Sequence, residues 1–176
     1  MDVSPTLLMS LFGLIVFVAL MIWAAVGDVR TFTITNKLNL LIAASFIILA
    51  VPMGLGWSAI LDHVKIGLIA SVIAMAMFYI GIYGGGDFKM TGAVALWLGS
   101  APIVPFVFYT ALAGGALGVT LIVGRALARR YGLPKSPKWA RRMLRKRSAV
   151  PYGVALGIGA LLAAPDAIWF PRALLG

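Results

Sequence analysis

The sequence predicts an all-α protein, a polytopic membrane helical bundle of about six transmembrane helices. Three observations predict it. Of the 176 residues, 62% are hydrophobic and only 11% charged, against roughly 25% charged in a soluble domain. The apolar residues gather into runs of about 20, the length a helix needs to cross a bilayer. Ten of the fifteen Lys and Arg lie between Arg125 and Arg147, as in a cytoplasmic loop under the positive-inside rule. A net charge of +10 concentrated there speaks for topology, and no nucleic acid partner is expected. The reading is one membrane-embedded domain over residues 1–176, with the lipid bilayer as its surroundings and residues 125–148 as a basic cytoplasmic loop.

The first helix is predicted over Leu7–Val26. An acid, Asp2, and no base precedes it, the reverse of a secretory signal peptide, so it reads as a retained span. Further spans are predicted over Leu38–Trp57, Val64–Tyr83 and Val150–Phe170. From Met90 the chain carries no charge until Arg125, but "SAPIVP" interrupts it. That predicts a fourth helix near Met90–Gly99 and a fifth over Ile103–Arg125. At 1.5 Å per residue the fourth cannot cross a core of about 30 Å, so it is expected to be short or re-entrant. The pairs Gly114/Gly118 and Gly153/Gly157 have the small-xxx-small spacing that lets membrane helices approach, and read as packing within the bundle.

Orientation follows by parity. With residues 125–148 in the cytoplasm, Gly84–Lys89 and residues 27–37 face it too, and both termini lie outside. The outer loop, 58–63, has no Lys or Arg, as the rule requires. The chain has no glutamate, and its five acids sort by side: Asp2, Asp62 and Asp166 outside, Asp28 and Asp87 inside.

These counts exclude chemistries. There is no cysteine and one histidine, so a helical zinc-protease motif, with its Glu and two His, is absent. Ser58 and His63 stand five apart in one predicted loop, poor geometry for a Ser–His dyad, and His63 reads as incidental there. Two aspartates acting on one water need only what is present. Like charges at close range cannot both ionise, so such a pair supplies an acid and a base together. Asp87 follows Gly84, Gly85 and Gly86, where a substrate backbone could approach closely. The plainer uses are glycines ending one helix and Asp87 capping the next, and Asp28 pairing with Arg30.

Three segments carry a family resemblance. "GGGDFK" resembles the Gly-x-Gly-Asp motif, at Gly84, Gly86, Asp87 and Lys89. "GDVRTFTITN" is similar to the first-aspartate motif, with Asp28, Arg30, Ile34 and Asn36 matched and Thr35 where the family usually has proline. "VPYGVALGIGAL" resembles the opening of the family's last helix, at Pro151, Tyr152 and Gly153. Together they resemble the type IV prepilin peptidases, membrane aspartyl proteases. The resemblance implies Asp28 and Asp87 as catalytic residues. Gly84, Gly85, Gly86, Lys89, Arg30 and Asn36 would support them. It also implies a prepilin substrate, cut on the cytoplasmic side of a bacterial inner membrane between its leader peptide and the start of its hydrophobic helix, with no metal or other cofactor. Only eleven residues, none of them cysteine, link the first two predicted helices, so the chain looks like the short form of Flp (tight adherence) systems, without an N-methylation module. A non-catalytic subunit of a pilus or secretion platform, and a Gly-x-Gly-Asp protease acting within other transmembrane helices, are the alternatives.

Overall fold

The computed structural model describes residues 4–132, 137–144 and 150–174. Among them the chain forms seven α-helices and no strand: α1 (Pro5–Thr31), α2 (Asn36–Ala50), α3 (Trp57–Tyr79), α4 (Gly85–Leu98), α5 (Ile103–Tyr131), α6 (Lys138–Met143) and α7 (Tyr152–Ala163). Helices α1, α3 and α5 are long and apolar enough to cross a membrane, and α2 and α7 are shorter apolar helices. Helix α4, with 14 residues, reaches only about 21 Å. The expected helical membrane bundle is present, with three full-length crossings flanked by shorter helices.

The boundaries differ from the apolar runs for local reasons. The Ser4 hydroxyl accepts the Leu7 N–H at 3.2 Å and starts α1 at Pro5. The helix continues five residues past Val26, so Asp28 sits inside its last turn. Phe32 ends it in the left-handed region at φ 56°, its N–H returning to the Asp28 carbonyl. Helix α2 stops at Ala50 because Gly54, at φ 83°, turns the chain, and Trp57 opens α3. Ser58, Asp62 and His63 are therefore helical, which corrects the expected solvated loop over residues 58–63. His63 is buried, stacks on Phe46 at 4.8 Å and bonds the Leu96 carbonyl through Nδ1 at 2.8 Å. Leu96 on α4 satisfies His63, and the Ser100 N–H beyond α4 donates to Asp62 at 3.1 Å, a tertiary provision that hydropathy does not register.

Helix α4 begins five residues before Met90, and α5 runs on to Tyr131, so the start of the expected basic loop is helical. The short α6 lies within that basic segment. Residues 133–136 and 145–149 of it, and residues 1–3 with Asp2, lie outside the described residues. Helix α7 ends at Ala163, in place of a span to Phe170. A 3-10 turn over Ala164–Asp166 then folds the chain back, so that Trp169 enters the core.

Aromatic rings hold the bundle's centre. Trp97 of α4 lies 5.1 Å from Phe17 of α1, 5.6 Å from Phe46 of α2 and 5.2 Å from Trp169. Its indole N–H donates to the Ile42 carbonyl at 2.7 Å, and the Trp169 indole N–H donates to the Trp97 carbonyl. Both indoles are buried with their single donor satisfied, as large amphipathic rings require. Small residues bring the backbones together elsewhere. A Cβ on Gly157 would stand 3.3 Å from the Met21 carbonyl, whereas one on Gly118 would meet nothing within 4 Å. Gly157 thus packs α7 on α1, as the spacing implied, and Gly118 does not take part.

Replacing Trp97 with Ala empties the centre and removes the indole bond to the Ile42 carbonyl, which keeps the Ser45 hydroxyl as a donor. A loss of about 3–5 kcal/mol is expected, read as a lowered unfolding midpoint of the detergent-solubilised protein. An unchanged midpoint would mean that the aromatic cluster does not set stability.

Candidate active site

Asp28 and Asp87 reach the same end of the bundle from different elements. Asp28 projects from the last turn of α1, only 4% exposed, and its Oδ2 accepts the Gly153 N–H at 2.7 Å. Gly153 lies in the first turn of α7. Asp87 lies in the first turn of α4, and its Oδ2 accepts the Gly84 N–H at 3.1 Å. Each carboxylate thus meets a backbone amide at the start of a helix, where the macrodipole favours negative charge. The two aspartates are within electrostatic reach of one another. Asp87 does act as a cap, the plainer use, while standing beside the second acid.

Glycine contacts explain how the three segments converge. Ile34, buried in the link between α1 and α2, is the shared surface. A Cβ on Gly86 would stand 2.8 Å from the Ile34 carbonyl and 3.1 Å from its nitrogen. One on Gly153 would stand 2.7 Å from Ile34 Cδ1 and 2.9 Å from Asp28 Oδ2. Real Cβ atoms do not approach so closely, so only glycine lets α4 and α7 begin against this link. Gly84 has a Cβ position 2.7 Å from Asp87 Oδ2, whereas at Gly85 the nearest atom, Phe78 Cε2, is 3.7 Å away.

The other motif residues divide. Lys89 Nζ donates to Asn36 Oδ1 at 2.8 Å, tying the second motif to the first. Arg30 is exposed and lines a separate slot of about 320 Å³ with Trp139. Two further groups join the site without having stood out in the sequence. Asn39, buried in α2, donates through Nδ2 to the Gly86 carbonyl at 3.2 Å. A second amide, carried into the apolar part of a helix that opens on Asn36, is the signal that would have found it. Tyr83, in the link between α3 and α4, packs on Tyr152 with ring centroids 5.4 Å apart. Its hydroxyl lies near Thr91 and Tyr152, and burial pushes its pKa up, so it stays protonated near Asp87.

Residues 15–119, which contain both aspartates and the glycine motif, match the type IV leader peptidase family. The chain belongs to that family. It is 28% identical over 133 residues to the prepilin leader peptidase/N-methyltransferase of Bacillus subtilis (strain 168). The alignment covers 73% of this chain and 52% of that protein, so the chain spans about half the length of the curated relative it matches. No solved structure matches it. Tyr152 and Gly153 lie beyond the matched residues; in this leader peptidase family member it is the fold that brings them to Asp28.

Adding one methyl separates these roles. Gly86→Ala and Gly153→Ala push helices off Ile34, and a misplacement near 1 Å costs about 100-fold in rate. Gly85→Ala makes only an ordinary van der Waals contact with Phe78 and should retain full activity. Initial rates in membranes, normalised to accumulated protein, test this; equal rates for all three variants would remove the role given to Ile34.

Proposed function

We propose that this protein is a membrane aspartyl endopeptidase that removes the leader peptide of type IV, Flp-type prepilins, with Asp28 and Asp87 as its catalytic pair. The observation that carries the reading is the convergence of both motif carboxylates on one end of the bundle, each met by a helix-start amide. Membership of the leader peptidase family supports the substrate class.

The chemistry follows from the pair. One carboxylate, ionised, takes a proton from a water molecule lying between the two. The other, protonated, donates a hydrogen bond to the scissile carbonyl oxygen. The water oxygen bonds to the carbonyl carbon, giving a tetrahedral intermediate with two oxygens. As that bond forms, the second acid's proton moves onto the carbonyl oxygen. The proton taken from water then passes to the leaving nitrogen, and the C–N bond breaks. A hydroxyl of the intermediate returns its proton to the second acid as the carboxyl product forms. Proximity keeps one member protonated, because two like charges resist joint ionisation, and the titration belongs to the pair. The protein supplies acid and base itself, and no metal or other cofactor takes part.

The cytoplasmic placement of the site is part of this reading. It rests on the charge pattern: Arg30, Lys37 and Lys89 stand at the aspartate end, as the positive-inside rule favours. The enzyme is then a multi-pass protein of the bacterial inner membrane with both termini outside. The link from α1 to α2 is only residues 32–35, so no module is inserted there, and the proposal is confined to peptidase action.

Asp28→Asn and Asp87→Asn should each lower prepilin cleavage at least about 10³-fold, the scale on which removing one member of a catalytic set acts. Leader removal from a co-expressed Flp-type prepilin measures it, with variant accumulation checked. Normal processing by either variant would overturn the dyad. A wild type that cleaves no prepilin offered would favour the non-catalytic pilus-platform subunit.

A further inference from the structure

Helices α2 and α3 both pack on α4 but scarcely touch one another. Near the outer end Phe46 stacks on His63 and closes the wedge. Towards the aspartate end the helices part and leave a groove of about 380 Å³ open to the bilayer. One wall is a single stripe of α2, Asn39, Ala43 and Ile47. Its residues recur every four positions and cover about 12 Å, or two helical turns. Small side chains, Ala43 and Ala93 among them, line it and would admit the backbone of another helix.

The groove has one polar end. Asn39 lines it there, 6% exposed; its Nδ2 is used by Gly86, and its Oδ1 has no hydrogen-bond partner. Leaving a buried acceptor unmade costs about 1–3 kcal/mol. Lys89 lines the same end. The first turn of any α-helix has the complementary deficiency, N–H groups without intrahelical acceptors.

We infer that this groove receives the apolar helix of the substrate, entering sideways from the bilayer with its N-terminal turn at Asn39. The inference rests on the peptidase reading above and adds where the substrate lies. An acceptor without a donor meets donors without an acceptor, which sets the helix direction. Because Asn39 also holds Gly86, the residue before Asp87, the peptide bond preceding that helix is delivered to the aspartates. A second lipid-facing groove, of about 350 Å³ between α3 and α5, lacks this feature. Of its polar residues, Thr91 donates to the Asp87 carbonyl, and neither Thr91 nor Tyr83 has a buried side-chain atom without a partner.

The test uses the full chain in membranes with a prepilin. A photo-crosslinking residue is placed at Ile47 or Leu68 in the first groove, and at Ile69 or Val107 in the second. All four positions face outward, so the bundle tolerates them. In parallel, Ala43→Phe fills the first groove and Ala70→Phe the second. The expected result is crosslinks from Ile47 and Leu68 only. Ala43→Phe should also raise KM at least about tenfold with kcat retained, the mark of lost binding, while Ala70→Phe matches wild type. Cleavage by the wild type with crosslinks from the second groove, or with Ala43→Phe unimpaired, overturns the docking site and leaves the peptidase reading intact. Failure of the wild type to cleave overturns both.

Discussion

Two glycines pressed against one isoleucine set the geometry on which the candidate site depends. Gly86 and Gly153 leave no space for a side chain between their helices and Ile34. The first turns of α4 and α7 therefore start against the link that follows α1. Because Asp28 closes α1 and Asp87 opens α4, this packing decides where both carboxylates stand. The Gly153 amide, free to point outward at the second residue of its helix, then donates to Asp28. Packing and electrostatics are one arrangement here: each acid lies at a helix N-terminus, where unpaired N–H groups favour negative charge.

The bundle around the site follows the rules of a bilayer, in which burying apolar surface between helices gains little over lipid contact. Close backbone approach and satisfied polar groups take its place. The Trp97 and Trp169 indoles each donate to a backbone carbonyl across the core, and His63 does the same between α3 and α4. These bonds lie towards the end remote from the aspartates and hold α4 firmly there. The first turn of α4 is thereby held from below by the core and from the side by Ile34.

Short helices between long ones leave the candidate site accessible. Helices α1, α3 and α5 have bilayer-crossing lengths, while α2, α4 and α7 are 12 to 15 residues long. A short helix can begin where catalytic groups are needed, and its neighbours need not close over it. The parting of α2 from α3 is one result, an opening to lipid beside the second aspartate. Under the proposed peptidase reading such a lateral route is what a membrane-resident substrate needs, since its peptide bond must leave the bilayer edge without the apolar segment passing through water.

Much of this was legible in the residues. Apolar run length and charge placement are one-dimensional properties, and they determined the all-α membrane class, the order of the helices and the end on which Asp28 and Asp87 fall. The scarcity of acids singled out the pair before any coordinates, and the motif segments named Gly86, Lys89 and Asn36. Helix ends were less legible, because polar residues such as Asp62 and His63 look like a loop until Ser100 and the Leu96 carbonyl satisfy them. The tertiary structure alone decided that Gly153 donates to Asp28, that Asn39 holds Gly86, and that α2 and α3 part to leave a groove. Each of these joins residues distant along the chain through a close approach of backbones, and such contacts depend on three-dimensional packing that no local pattern encodes.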